Sequence, residues 1–176
     1  LAFAFVVDFP MFEWKEKEPT TSSGQGKGRW DTVHHPFTMP QVNDRKEFLD
    51  LYKKDPSKIS AFQYDLVLNG YEVGGGSMRI HDPDLLAAVF EVLGHSKKDI
   101  EAKFGHLLQA FSMGVPPHGG IAPGLDRILM VLLGEPNIRE VIAFPKTGDG
   151  RDLMMGAPAE VEKNQLKELN IKTDKK

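Results

Sequence analysis

Cysteine is absent from all 176 residues. That excludes disulfide scaffolds, Cys-type zinc sites and thiol nucleophiles together, and it fits a reducing compartment. No charge sign dominates: 22 Lys and Arg stand against 25 Asp and Glu, a formal net charge of -3. A basic field over the whole surface is therefore excluded, although a local basic patch is not. No stretch approaches the ~20 consecutive apolar residues needed to span a bilayer. The apolar run from Leu1 to Val7 stops at Asp8, and no basic residues precede it. It reads as a buried strand and not as a signal peptide. The chain begins without Met and enters that strand at once, so a fragment of a longer protein is expected. Internal repeats and low-complexity tracts are also missing. What remains, 40% hydrophobic and 27% charged residues, is the balance of one globular domain with a real core.

Along the chain, residues 1–9 predict a strand ended by Pro10. Residues 15–31 are rich in Lys, Glu, Gly, Ser and Thr and predict a mobile surface loop. A short helix is expected near Arg45–Lys54. Ala61–Leu68 is strand-like, and Asn69-Gly70 is the preferred two-residue hairpin turn before Tyr71. Gly74, Gly75 and Gly76 then predict a break in the return strand, as a bulge or a point of close approach. The strand resumes over Ser77–His81. Asp82-Pro83 opens a helix to about Leu93, with Pro83 at its favoured first position. Ser96 and Asp99 resemble a capping box and open another helix to about Met113. Residues 114–124 are dense in Gly and Pro. Leu125–Leu133 is almost wholly apolar and predicts a helix buried on all sides. Val141–Phe144 reads as a short strand, followed from Glu160 by a polar tail. The mixture predicts an α+β fold, an antiparallel sheet carrying helices.

Chemistry concentrates on the hairpin. The Asn69-Gly70 turn pairs Val67 with Glu72, and strand alternation puts Asp65 on the face of Val67. Asp65 and Glu72 thus share one face of an otherwise apolar hairpin. Two carboxylates there repel each other unless a cation joins them, and Mg2+ with a polyphosphate suits such a pair. The plain alternative is a solvated face or pairing with Lys and Arg. Arg79, between Met78 and Ile80, suits a substrate carboxylate, or else a salt bridge to Glu72 or Asp65. Asp126 and Arg127 fall in the first turn of an apolar helix. Asp suits that positive helix end, whereas Arg there calls for an anion nearby. Gly119, Gly120 and Gly124 would admit a ligand close to the backbone. The plain alternative pairs Arg127 with Asp126. His34-His35 could touch substrate from a loop, whereas a zinc site lacks a third ligand at metal-like spacing. His118, between Pro117 and Gly119, reads as a turn residue.

Taken together and in order, five stretches are more specific. They are VDFPMFEW (7–14), HHPFT (34–38), YDLVLNGYEVGGGSMRIH (64–81), PPHGGIAPGLDR (116–127) and AFPKT (143–147). Over essentially the whole chain they resemble the C-terminal part of the catalytic domain of bacterial-type aspartyl-tRNA synthetases. Gly124-Leu125-Asp126-Arg127 looks like motif 3 of the class II aminoacyl-tRNA synthetases. The resemblance implies part of a class II antiparallel sheet flanked by helices. It implies a cytoplasmic ligase that activates L-aspartate with ATP and Mg2+ and transfers it to tRNA(Asp), with tRNA(Asn) as a possible second acceptor. Carried over, Glu72 contacts ATP and metal, Asp65 assists with the metal, and Arg79 binds the aspartate side chain. His34, with His35, lies on a loop closing over the amino acid. Gly124, Leu125, Asp126 and Arg127 belong to the ATP site, with Arg127 on the γ-phosphate. The anticodon-binding OB domain, motifs 1 and 2 and the insertion domain are not in this segment. The resemblance therefore implies a homodimeric parent enzyme and an inactive isolated fragment. A stand-alone paralogue binding nucleotide or protein is the competing reading, and an amide-forming relative that uses an aspartyl adenylate is a third.

Overall fold

The computed structural model describes residues 1–16 and 28–173. It has two compact units, Leu1–Ile128 and Leu129–Lys176. The first unit is the predicted antiparallel sheet with helices. Strands β1 (Phe3–Pro10), β4 (Ser60–Leu68), β5 (Tyr71–Met78) and β6 (Gly119–Pro123) stand in that order, every neighbour antiparallel. Two shorter strands, β2 (Phe12–Lys15) and β3 (Arg29–Thr32), pair with each other. The predicted loop at 15–31 is therefore strand at both ends. Its centre, 17–27, lies outside the described residues.

Local chemistry sets most boundaries. Asn69 (φ 51) and Gly70 (φ 87) both take the positive φ that a tight hairpin turn needs. The Asn69 side chain also accepts from the Ala2 backbone N–H at 2.8 Å, tying the turn to the start of β1. Helix α1 (Arg45–Lys54) starts where Asp44 accepts from the Glu47 N–H at 2.8 Å. Helix α2 (Pro83–Val92) starts where Asp82 accepts from two backbone N–H groups, with Pro83 in its first turn. Helix α3 (Lys97–Ser112) is capped by the Ser96 hydroxyl, which accepts from the Asp99 N–H at 3.2 Å. These three helices pack with Met11, Phe12, Ile59, Ala61 and Ile80 into one core. Phe90 and Phe104 stack within it, ring centroids 4.3 Å apart.

Four expectations are overturned. Strand β1 is not buried: as an edge strand it leaves Phe3 and Phe5 more than 60% exposed. Helix α4 (Leu125–Leu133) is not buried on all sides; only Met130 is, and Leu125, Leu129, Leu132 and Leu133 face solvent. Val141–Phe144 forms no strand, because no described segment pairs with it. The chain there instead makes a short turn at Ile138–Glu140, with the Val141 N–H donating to the Ile138 carbonyl. The glycine-rich return strand is also continuous rather than broken. Beyond that turn, the second unit holds the short helix α5 (Lys163–Glu168). No helix among the described residues is long and apolar enough to cross a membrane.

Candidate active site

One irregularity in β4–β5 shapes the site. Leu66 pairs with Gly74, yet Val67 pairs with Glu72, so Val73 is an extra residue on β5. The bulge resets the alternation. Glu72 and Gly75 now share a face with Val67 and Asp65, their cross-strand partners. The sequence placed Asp65 and Glu72 on one face, and the structure brings them together over Gly75. A Cβ at Gly75 would stand 2.9 Å from Asp65 Oδ1 and 3.7 Å from Glu72 Oε1. The missing side chain leaves that space to the two carboxylates. Val73 meanwhile is buried, and its carbonyl accepts from the Gly124 N–H at 2.7 Å. The bulge thus docks the start of α4 onto the sheet.

That docking places Arg127. Its Nη1 donates to the Glu72 carbonyl at 2.9 Å and lies 3.6 Å from Glu72 Oε2. Both side chains are about half-exposed, so the ion pair adds little stability. It does leave a cationic fork beside a carboxylate, ready to exchange onto an anion. The plain pairing of Arg127 with Asp126 is not seen. Gly124 precedes α4, and Leu125 and Asp126 occupy its first turn.

Arg79 lies two positions beyond Ser77 on the same face and bridges to Thr38. Its own N–H donates to the His118 carbonyl at 2.8 Å, and the His118 ring lies 2.9 Å from the Pro116 carbonyl, a turn role as expected. Among the described residues no carboxylate pairs with Arg79. Its guanidinium instead donates to His35 Nε2 at 2.8 Å. With Nε2 accepting, Nδ1 carries the proton and donates to Thr38 Oγ1 at 3.2 Å. Burial, then the nearby Arg79 charge and then His34, hold the His35 pKa below its ordinary value. His34 points elsewhere, packing edge-on to Phe9 at 5.0 Å. So the structure brings His35, and not His34, to Arg79. Thr38 was missed, and its place in the His-His-Pro-Phe-Thr run was the available signal.

Mg2+ fits the carboxylate pair in part. Asp65 and Glu72 would supply two ligands, and no group of three or more His, Asp or Glu among the described residues would close around an ion. That donor set matches a metal completed by phosphate oxygens and water.

Comparison with known proteins follows the same direction. The family model for class II tRNA synthetases (D, K and N) matches residues 1–148. An aspartate–tRNA(Asp/Asn) ligase of Dehalococcoides mccartyi is 51% identical over 172 residues, 98% of this chain and 27% of that protein. The Thermotoga maritima protein of the same description is 52% identical over 170 residues, 97% of this chain and 27% of its own. An aspartate–tRNA ligase of Streptomyces griseus is 49% identical over 173 residues, 98% and 27% respectively. Among solved structures, the aspartyl tRNA synthetase of Entamoeba histolytica matches with a TM-score of 0.51 and 31% identity. That match covers 68% of this chain and 21% of the other. The asparaginyl-tRNA synthetase of the same organism, in complex with asparaginyl-adenylate, matches at 0.51 and 26%, over 68% and 24%. The chain spans about a quarter of the length of the curated relatives it matches.

Proposed function

The chain belongs to the class II tRNA synthetases of the D, K and N group, and on that premise we propose that it supplies half of the active site of an aspartate–tRNA ligase. A carboxylate oxygen of L-aspartate attacks the α-phosphorus of ATP, and pyrophosphate leaves. A hydroxyl at the tRNA 3′ end then takes the aspartyl group, and AMP leaves. The acceptor is tRNA(Asp), with tRNA(Asn) as a second acceptor, as the printed name of the D. mccartyi relative has it.

One observation carries this reading. On a single sheet face, Arg79 lacks a carboxylate partner among the described residues, while Asp65 and Glu72 converge over Gly75. Arg79 holds the side-chain carboxylate of aspartate, its planar fork matching two oxygens at once. His35 keeps that guanidinium aimed while the site is empty. Arg127 exchanges Glu72 for the γ-phosphate of ATP. Glu72 and Asp65 hold the metal, which when bound neutralises phosphate charge. The protein's share of the catalysis is positioning and charge stabilisation. The parent enzyme acts as a homodimer in the cytoplasm, and the isolated 176-residue segment is inactive.

The test is aspartate-dependent ATP–pyrophosphate exchange in a full-length enzyme carrying this segment. Arg79→Ala should raise the KM for aspartate by two orders of magnitude or more and leave that for ATP near its starting value. Arg127→Ala should do the reverse. Full exchange in both variants would overturn the site. No exchange in the unmodified enzyme would favour the non-catalytic paralogue.

A further inference from the structure

Strand β6 has little to hold it. It lies at the edge of the sheet, its residues are all exposed, and β5 is its one neighbour among the described strands. Directly opposed side chains are what usually tighten such a pair. Here every opposed pair contains a glycine: Gly74 with Pro123, Gly75 with Ala122, Gly76 with Ile121, Ser77 with Gly120 and Met78 with Gly119. Glycine also loses the most backbone freedom on ordering. Yet β6 runs straight into Gly124 and the first turn of α4, which carries Arg127. One side chain supplies the missing cross-strand link. Tyr64 on β4 is the direct partner of Gly76 on β5. Its hydroxyl reaches past that glycine and donates to the Gly120 carbonyl of β6 at 3.0 Å. A Cβ at Gly76 would stand 2.7 Å from Tyr64 Cε2 and 2.0 Å from the Gly120 carbonyl oxygen. The ring and the carbonyl thus take the room that a side chain at 76 would need.

We propose that Tyr64 is a positioning residue for ATP: its phenol straps β6 across β5 onto β4 and so fixes the start of α4 and the guanidinium of Arg127. The proposal rests on the assignment of Arg127 to ATP above. Alternation puts Tyr64 on the face opposite its neighbour Asp65, behind the carboxylate pair. Its action on the site is therefore indirect and runs through β6. The Gly124 N–H reaches the Val73 carbonyl at 2.7 Å, and Arg127 Nη1 reaches the Glu72 carbonyl at 2.9 Å. Both contacts tie to β5, and both lengthen if β6 lifts from it. Arg79 is less exposed to such a shift. Its own N–H does bond the His118 carbonyl next to β6, but the strand around it has a second anchorage. The Met39 N–H donates to the Met78 carbonyl and the Ile80 N–H to the Phe37 carbonyl, each at 2.9 Å. Loss of the phenol hydroxyl should thus reach ATP and spare aspartate. A group held within a fraction of an ångström of its working place loses rate and affinity on small displacements.

The experiment is Tyr64→Phe in the full-length enzyme, which keeps the ring and removes the hydroxyl. In ATP–pyrophosphate exchange the KM for ATP should rise roughly three- to tenfold, the worth of one hydrogen bond, with the KM for aspartate within about twofold. Hydrogen exchange followed by mass spectrometry should speed up over residues 119–127, while the thermal unfolding midpoint holds. Tyr71→Phe removes a hydroxyl from the nearby hairpin turn and should change none of these. Gly76→Ala displaces the Gly120 carbonyl and should give the same selective loss, to which Tyr64→Phe adds nothing in the combined variant. If the two KM values rise together, if neither rises, or if exchange over 119–127 stays as it was in Tyr64→Phe, the strap is overturned while aspartate activation stands. If the unmodified enzyme gives no aspartate-dependent exchange, the functional reading itself falls, and the role of Tyr64 with it.

Discussion

Helices α2 and α4 read almost alike and end differently. Leu85, Leu86, Ala88, Val89 and Phe90 of α2 are all buried, Leu86 completely. In α4 only Met130 is buried, and Leu132 is 55% exposed. Apolar content gives a helix the capacity to be covered; burial needs something to cover it. α2 has α1 and α3 beside it and a core of aromatic rings behind it. α4 is held at its first turn, where Gly124 meets the carbonyl of the bulge residue and Arg127 meets Glu72. One helix serves the core, and the other serves the site.

The strongest way to break this contrast is to truncate a leucine in each. Leu86→Ala should cost roughly 2–5 kcal/mol, since a fully buried side chain leaves a cavity. Leu132→Ala should stay within about 0.5 kcal/mol. Urea unfolding of the 176-residue chain reads both, and equal costs would mean that the two helices are packed alike. A smaller contrast lies inside the sheet, between covered and open glycines. A Cβ at Gly76 would stand 2.0 Å from the Gly120 carbonyl oxygen, whereas one at Gly120 meets nothing. Gly76→Ala should therefore cost roughly 1–3 kcal/mol by forcing β5 from β6. Gly120→Ala should be near neutral for stability in the same measurement, and a large loss there would show that the space is filled.

The smallest effect concerns pH. The His35 pKa lies below its ordinary value, chiefly through burial and then through the Arg79 charge. The folded protein thus keeps the ring neutral where the unfolded chain would protonate it. The stability contributed by that contact is complete above about pH 6.5, the ordinary histidine value. It declines as pH falls below that and levels off once the folded pKa is passed. Titration of the His35 ring by NMR should give a midpoint below 6.5, moving upward in Arg79→Ala. A midpoint at or above 6.5 would separate His35 from Arg79.

What was legible in the sequence is what short-range chemistry decides. The Asn69-Gly70 turn, the Asp44, Asp82 and Ser96 caps and the Asp65–Glu72 face each depend on residues close along the chain or across one hairpin. Backbone sterics and period-two alternation are enough for them. The order of short motifs carried the family as well. The tertiary structure alone decided the bulge at Val73, the choice of His35 over His34, and the seat of Arg127 on Glu72. It alone exposed β1 and α4, and it alone left Gln63 and Ser77 without partners among the described residues. Each of these depends on which distant segment comes to lie alongside. Burial and hydrogen-bond satisfaction are properties of that whole arrangement, and no local window of sequence contains them.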